Sequence, residues 1–133
     1  MSFRVEESRN SMSQYLLTVP HDSEEEPTME TMDPAELEAA MAATGAIIEE
    51  LTATGAFVFA GGLMPPSSAV TVDNTGESLS TVDGPFVEAP EYVGGFWVID
   101  VADEEAAIGW AARASKALGG RIEVRAFQVA PGE

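Results

Sequence analysis

The chain has 133 residues, with 6 Lys+Arg against 23 Asp+Glu and one His, so its formal net charge is −17. That length suits one domain able to bury roughly two thirds of its unfolded surface, and 45% hydrophobic with 22% charged residues separates it from disordered chains. The absence of Cys excludes disulfides, thiolate nucleophiles, iron–sulfur clusters and Cys-bound zinc.

No Lys or Arg occurs between Arg9 and Arg113, and the one basic cluster is Arg113, Lys116, Arg121 and Arg125. Nucleic acid and anionic membrane surfaces are therefore poor partners, because both need a basic face to offset their own charge. No apolar run is long enough to span a bilayer, and the first residues lack the apolar stretch of a signal peptide. The expected compartment is cytoplasmic.

Residues 1–13 are polar and without period, and are expected to be a disordered leader to a single domain over residues 14–129. Tyr15 to Val19 is a short run of strand formers stopped by Pro20, the first predicted strand. A loop rich in Glu follows, from His21 to Met32. Asp33-Pro34-Ala35-Glu36 starts a helix, with Asp as N-cap, Pro at the first helical position and Glu reaching back to the cap amide. Leu37, Met41, Thr44, Ile48 and Leu51 recur as one apolar stripe, and Gly55 ends the helix, predicted over residues 34–53.

Ala56 to Ala60 is the second strand, closed by Gly61-Gly62-Leu63-Met64-Pro65-Pro66. Ala69 to Val72 and Ser78 to Val82 flank a turn cluster and predict a hairpin. A strand follows from about Gly95 to Val101. Asp103 caps a second helix to Leu118 with Ala107, Trp110, Ala111, Ala114 and Leu118 inward, and Arg121 to Phe127 alternates as the last strand. The order is β-α-β, hairpin, β-α-β. Right-handed crossovers place both helices on one face of the sheet, an α+β fold of the ferredoxin-like kind with an antiparallel sheet. The other face stays bare, and a second copy is its simplest cover, so a homodimer is expected.

Asp83-Gly84-Pro85-Phe86, with Gly61 to Pro66 and Gly94 to Asp100, resembles the DGPF branch of the YCII-related family over about residues 14–128. The resemblance implies a dimeric α/β barrel of largely unassigned activity; some relatives look like small lyases or dehydrochlorinases, and DGPF proteins are often encoded beside extracytoplasmic-function sigma factors. The His–Asp pair proposed as catalytic in the founding YCII-like proteins falls, by register, near Thr44 and near Ala114 or Ser115. This chain keeps neither residue.

Three residues are left as candidates for proton transfer. Asp83 follows a strand and precedes a Gly-Pro pair and a Phe; it reads either as a turn-former capping the next amides or as a base whose carboxyl burial would raise its pKa. Glu88, five residues on, would place a second carboxylate near it. His21, the sole imidazole, leaves the first strand and titrates near neutrality as a type. The glycines at 94 and 95 lack the spacing of a phosphate loop and read as permitting a bulge or a close backbone approach. Phe96 and Val98 should face opposite Trp97 and Ile99.

The expectation is a small organic molecule bound in a cleft between helices, sheet and the 83–88 loop, with Gly62, Met64, Pro85, Phe86 and Phe96 as its binding set. Asp83 or His21 is the base and Glu88 supports it, with neither cofactor nor metal. The alternative is a non-catalytic regulatory module whose acidic dimer docks a basic partner such as a sigma factor.

Overall fold

The computed structural model describes residues 12–21, 28–86, 91–129 and 131; Glu88 lies outside them. Its elements are β1 (Ser13–His21), α1 (Pro34–Ala53), β2 (Phe57–Gly62), a 3-10 turn (Pro66–Ser68), β3 (Val70–Asp73), β4 (Ser80–Asp83), β5 (Tyr92–Val101), α2 (Glu104–Leu118) and β6 (Glu123–Ala126). Both helix starts follow from capping. The Asp33 carboxylate accepts from the amides of Ala35 (3.1 Å) and Glu36 (3.2 Å), and the Asp103 carboxylate from Ala106 at 2.9 Å. Gly119, at φ +75°, closes α2 in the left-handed conformation that glycine adopts without strain.

The main sheet has the order β2-β5-β1-β6, and each neighbouring pair is antiparallel. β1 and β2 therefore run parallel without touching, with β5 between them, which is the split β-α-β arrangement of a ferredoxin-like α+β fold. Strand alternation sends Tyr15, Leu17, Trp97, Ile99 and Val101 to the face that the helices cover. There they form one core with Ile47 and Leu51 of α1 and Ala107, Ala111 and Ala114 of α2. Leu17, Leu51 and Ile99 are fully buried. The small residues of α2 let that helix sit close on the sheet.

The buried stripe of α1 is rotated from the expected one. Ile47 and Leu51 are buried, whereas Met41 is 56% exposed and Thr44 and Ile48 are half-buried at its edge. A bidentate ion pair joins the two helices, Arg113 donating to both oxygens of Glu50 at 2.6 and 2.7 Å. This pair holds the Glu50 carboxyl below the ordinary glutamate range. The Arg113 guanidinium also lies 5.0 Å from the Trp110 ring centre.

On the far face of the sheet lie Leu16, Thr18, Phe59, Phe96 and Val98, with no element of the protomer across them among the described residues. The Phe59 and Phe96 rings meet there with centres 6.0 Å apart, and the Thr18 hydroxyl donates to Glu123 at 3.2 Å. β3 and β4 pair only with each other, as a two-stranded ribbon separate from the main sheet.

Candidate functional site

Pro20 supplies no amide hydrogen, so the β1–β5 ladder cannot continue unbroken through it. The register slips there: Val19 faces Gly95 while Pro20 faces Val93, and Gly94 is left over as the extra residue of a bulge. His21 comes next, and its ring lies against Gly94. A Cβ at position 94 would stand 2.7 Å from the Cδ2 and Cγ atoms of that ring, so only glycine fits beneath it. The Tyr92 ring meets the imidazole edge-on, with centres 5.9 Å apart. Gly95 is needed for a second close approach, since its Cβ would sit 3.0 Å from the Gly61 carbonyl oxygen on β2.

These contacts place His21 on a cleft of about 270 Å³ between the sheet and both helices. Val19, Ala60 and Trp97 come from the sheet, Thr44 and Ile48 from α1, and Leu118 from α2. The floor is largely bare peptide, from Gly61 and Gly62 on β2 and Gly94 and Gly95 on β5. Among the described residues, His21 is the one titratable side chain in the lining. No hydrogen bond among the described residues ties either of its ring nitrogens. The Thr44 hydroxyl donates to the Ala40 carbonyl at 3.0 Å, which leaves its oxygen lone pairs as an acceptor at the cleft wall.

Of the expected binding set, Gly62 and Phe96 border this cleft, although strand alternation sends the Phe96 ring to the opposite face. Met64 is exposed, Pro85 is half-buried, and Phe86 is 90% exposed; none of them lines it. Asp83 closes β4 opposite Val70, exposed, and outside the lining. Among the described residues its carboxylate caps no turn. That bond forms instead at Asp73, which accepts from the Thr75 amide (2.9 Å) and hydroxyl (2.6 Å), and these bonds lower its carboxyl pKa. Gly84, at φ +119°, donates to the Ala69 carbonyl at 2.7 Å, so the Asp-Gly-Pro-Phe bend locks the root of the ribbon.

The model of the YCII-related domain family matches residues 13–128. The chain belongs to the YCII-related domain family. A search of curated proteins returns no match. The two helix positions at which the resemblance implies a His–Asp pair differ in their surroundings. Thr44 borders the cleft, whereas Ala114 is fully buried in the core and the Ser115 hydroxyl donates to the Gly120 carbonyl at 2.5 Å. In this YCII-related chain, then, the helix positions give the cleft an oxygen acceptor and no acid, and its imidazole comes from the end of β1.

A second hollow of about 500 Å³ is lined by Thr18, Pro20, Tyr92, Val93, Ile122 and Glu123, with Arg121 ion-paired to Glu91 at its edge. Its third charged group, Glu123, pairs with Arg125 at 3.1 Å. Among the described residues no group of three or more His, Cys, Asp or Glu side chains could hold a metal ion, and no helix is long and apolar enough to cross a membrane.

Sequence reasoning reached the Thr44 position through the resemblance without carrying Thr44 into the binding set, and it missed the stacking of His21 on Gly94. Thr44 was read as part of a core stripe. The His21–Gly94 contact joins residues far apart in the chain, and the only local signals for it were Pro20 in a strand and a Gly pair in its partner.

Proposed function

We propose that this YCII-related protein acts as a homodimer that binds a small, neutral organic molecule in the cleft at His21, with the imidazole accepting and returning a proton. The observation that carries this reading is that His21 is the single titratable group among the described residues that line the cleft. The field of a chain at −17 repels anions and so favours neutral or cationic ligands. Of the two described groups expected to transfer protons, His21 borders the cleft and Asp83 does not, and the base role is assigned to His21. An elimination suits such a site: the imidazole takes a proton from carbon, the C–H electron pair forms the new double bond, and the leaving group departs from the adjacent carbon with its electrons.

Because the chain has one His, its imidazole proton resonances are isolated in an NMR spectrum. Titration with a library of small neutral organic molecules should move those resonances together with the amides of Gly61, Gly62 and Gly95, and H21A should weaken binding. Binders whose shifts map to other parts of the fold overturn the reading.

The exposed carboxylates of Glu36, Glu38, Glu49 and Glu50 along α1 favour a second reading, an acidic regulatory module docking a basic partner such as a sigma factor. Capture of that partner should fall steeply with added salt, while cleft binding should hold.

A further inference from the structure

The cleft wall holds one polar group with no part in proton transfer. Among the described residues, three of the side chains lining the cleft carry a polar atom, those of His21, Thr44 and Trp97. The Thr44 hydroxyl hydrogen is committed to the Ala40 carbonyl, so that side chain can only accept from a ligand. The imidazole must keep a nitrogen free for the proton it takes. The Trp97 indole N–H, by contrast, is a donor only and carries no charge.

Trp97 sits on the helix side of β5, in register with Leu17 of β1 and Ala60 of β2, and is 6% exposed. An indole N–H so deeply placed ordinarily has a partner. No hydrogen bond among the described residues ties this one, and its nitrogen is not among their fully occluded polar atoms. Of the two hollows described, Trp97 borders the cleft alone. The small accessible remainder of the side chain, its nitrogen included, therefore opens into the cleft.

We propose that Trp97 donates its indole N–H to the carbonyl oxygen of the ligand, so that the cleft selects neutral ketones or esters presenting an α C–H to His21. The proposal rests on the His21 cleft reading above and names its substrate class. A donor-only group requires an acceptor in the ligand. A carbonyl is the neutral acceptor that also acidifies the next carbon, and imidazole is too weak a base to deprotonate an unactivated one. The imidazole takes the α proton, the C–H electron pair forms the C=C bond of an enolate, and the carbonyl π pair moves onto oxygen. There the N–H···O bond tightens as charge grows. The enolate then expels a β leaving group with its electrons, or takes the proton back from the imidazolium.

The test uses the full chain with cyclohexanone and methylenecyclohexane, which differ by O against CH2 at one position. The chain has two Trp, and Trp110, outside the cleft lining, is the internal reference for the indole N–H resonances. Cyclohexanone should move the Trp97 indole N–H together with the His21 imidazole resonances, and methylenecyclohexane should leave the indole N–H in place. In deuterated water the chain should speed exchange of the ketone's α protons. H21A should abolish that gain, and W97F should cut it by roughly 10²-fold. A ketone that moves His21 and the Gly61 and Gly62 amides without Trp97, or equal Trp97 shifts from both probes, overturns the donor role and leaves the cleft reading standing. A folded W97F that exchanges at the parent's rate does the same. A Trp97 shift with no His21-dependent exchange overturns the presentation of an α C–H. Should neither probe reach the cleft, the substrate class falls, and the wider library decides the cleft reading by itself. The indole shift of the parent chain decides the donor role even where W97F does not fold.

Discussion

Gly94→Ala tests the architecture of the cleft most directly. The added Cβ would meet three atoms of the His21 ring at 2.7, 2.7 and 2.8 Å, and ordinary contact begins at 3.4 Å. The ring must therefore retreat by about 0.7 Å or swing to another rotamer, giving up its edge contact with Tyr92. Overpacking of this kind costs about 1–3 kcal/mol. Because the obstacle is a half-buried side chain at a strand end, the lower part of that range, about 1–2 kcal/mol, is expected. With H21A as background the obstacle is gone, and replacing Gly by Ala then acts through the unfolded chain, stabilising by about 0.4–1 kcal/mol. The same substitution should change sign between the two backgrounds. Urea midpoints of the four proteins, at constant m, measure this coupling. Equal losses in both backgrounds, or no loss with His21 present, would refute the stacking of the imidazole on Gly94.

Leu51→Ala empties a fully buried position where α1 meets the sheet and should cost about 2–5 kcal/mol, read as a lowered urea midpoint. At Gly84, where φ is +119°, Gly84→Ala should cost about 1–3 kcal/mol by strain while leaving NMR shifts at His21 unmoved. The Glu50 and Glu123 carboxyls are lowered in the folded state, chiefly by hydrogen bonds from Arg113 and Arg125 respectively. Their contribution is thus complete above the ordinary glutamate value of 4.5 and is lost as pH falls through the lowered folded values. E50Q should flatten that acid limb of the stability profile, and an E50Q profile superimposable on the parent's would contradict it.

Much of the fold is legible in local chemistry. Asp33 and Pro34 mark the start of α1, and the element ends where its apolar period stops, so Pro34–Ala53 matches the expected span. The face of that helix was harder to read because Ile47 and Ile48 are neighbours. Periodicity accepts either as the centre of a stripe, and the position of the sheet chose Ile47. β5 begins at Tyr92, earlier than about Gly95, because the bulge at Gly94 lets pairing continue past a glycine pair that reads as a stop. At the site, the imidazole was visible as a lone type at a strand end. Trp97 and Leu118 were not, since only the crossing of two helices over one strand end brings them to it. The Asp-Gly-Pro-Phe motif was legible as a bend, and the structure places that bend on the ribbon.

The paired glycines of β2 and β5 carry a consequence for how this scaffold can diversify. Gly62 faces Gly95 on the helix side of the sheet, and a methyl group added at Gly62 would find its nearest neighbour, the Gly94 carbonyl oxygen, at 3.9 Å. The bottom of the chamber can be raised by one carbon without disturbing a strand, while at Gly95 the Gly61 carbonyl oxygen, 3.0 Å from the same kind of addition, would have to give by a few tenths of an ångström. The depth of the chamber is thus adjustable at Gly62 and resisted at Gly95, and a single base change in a glycine codon is enough to make the adjustment.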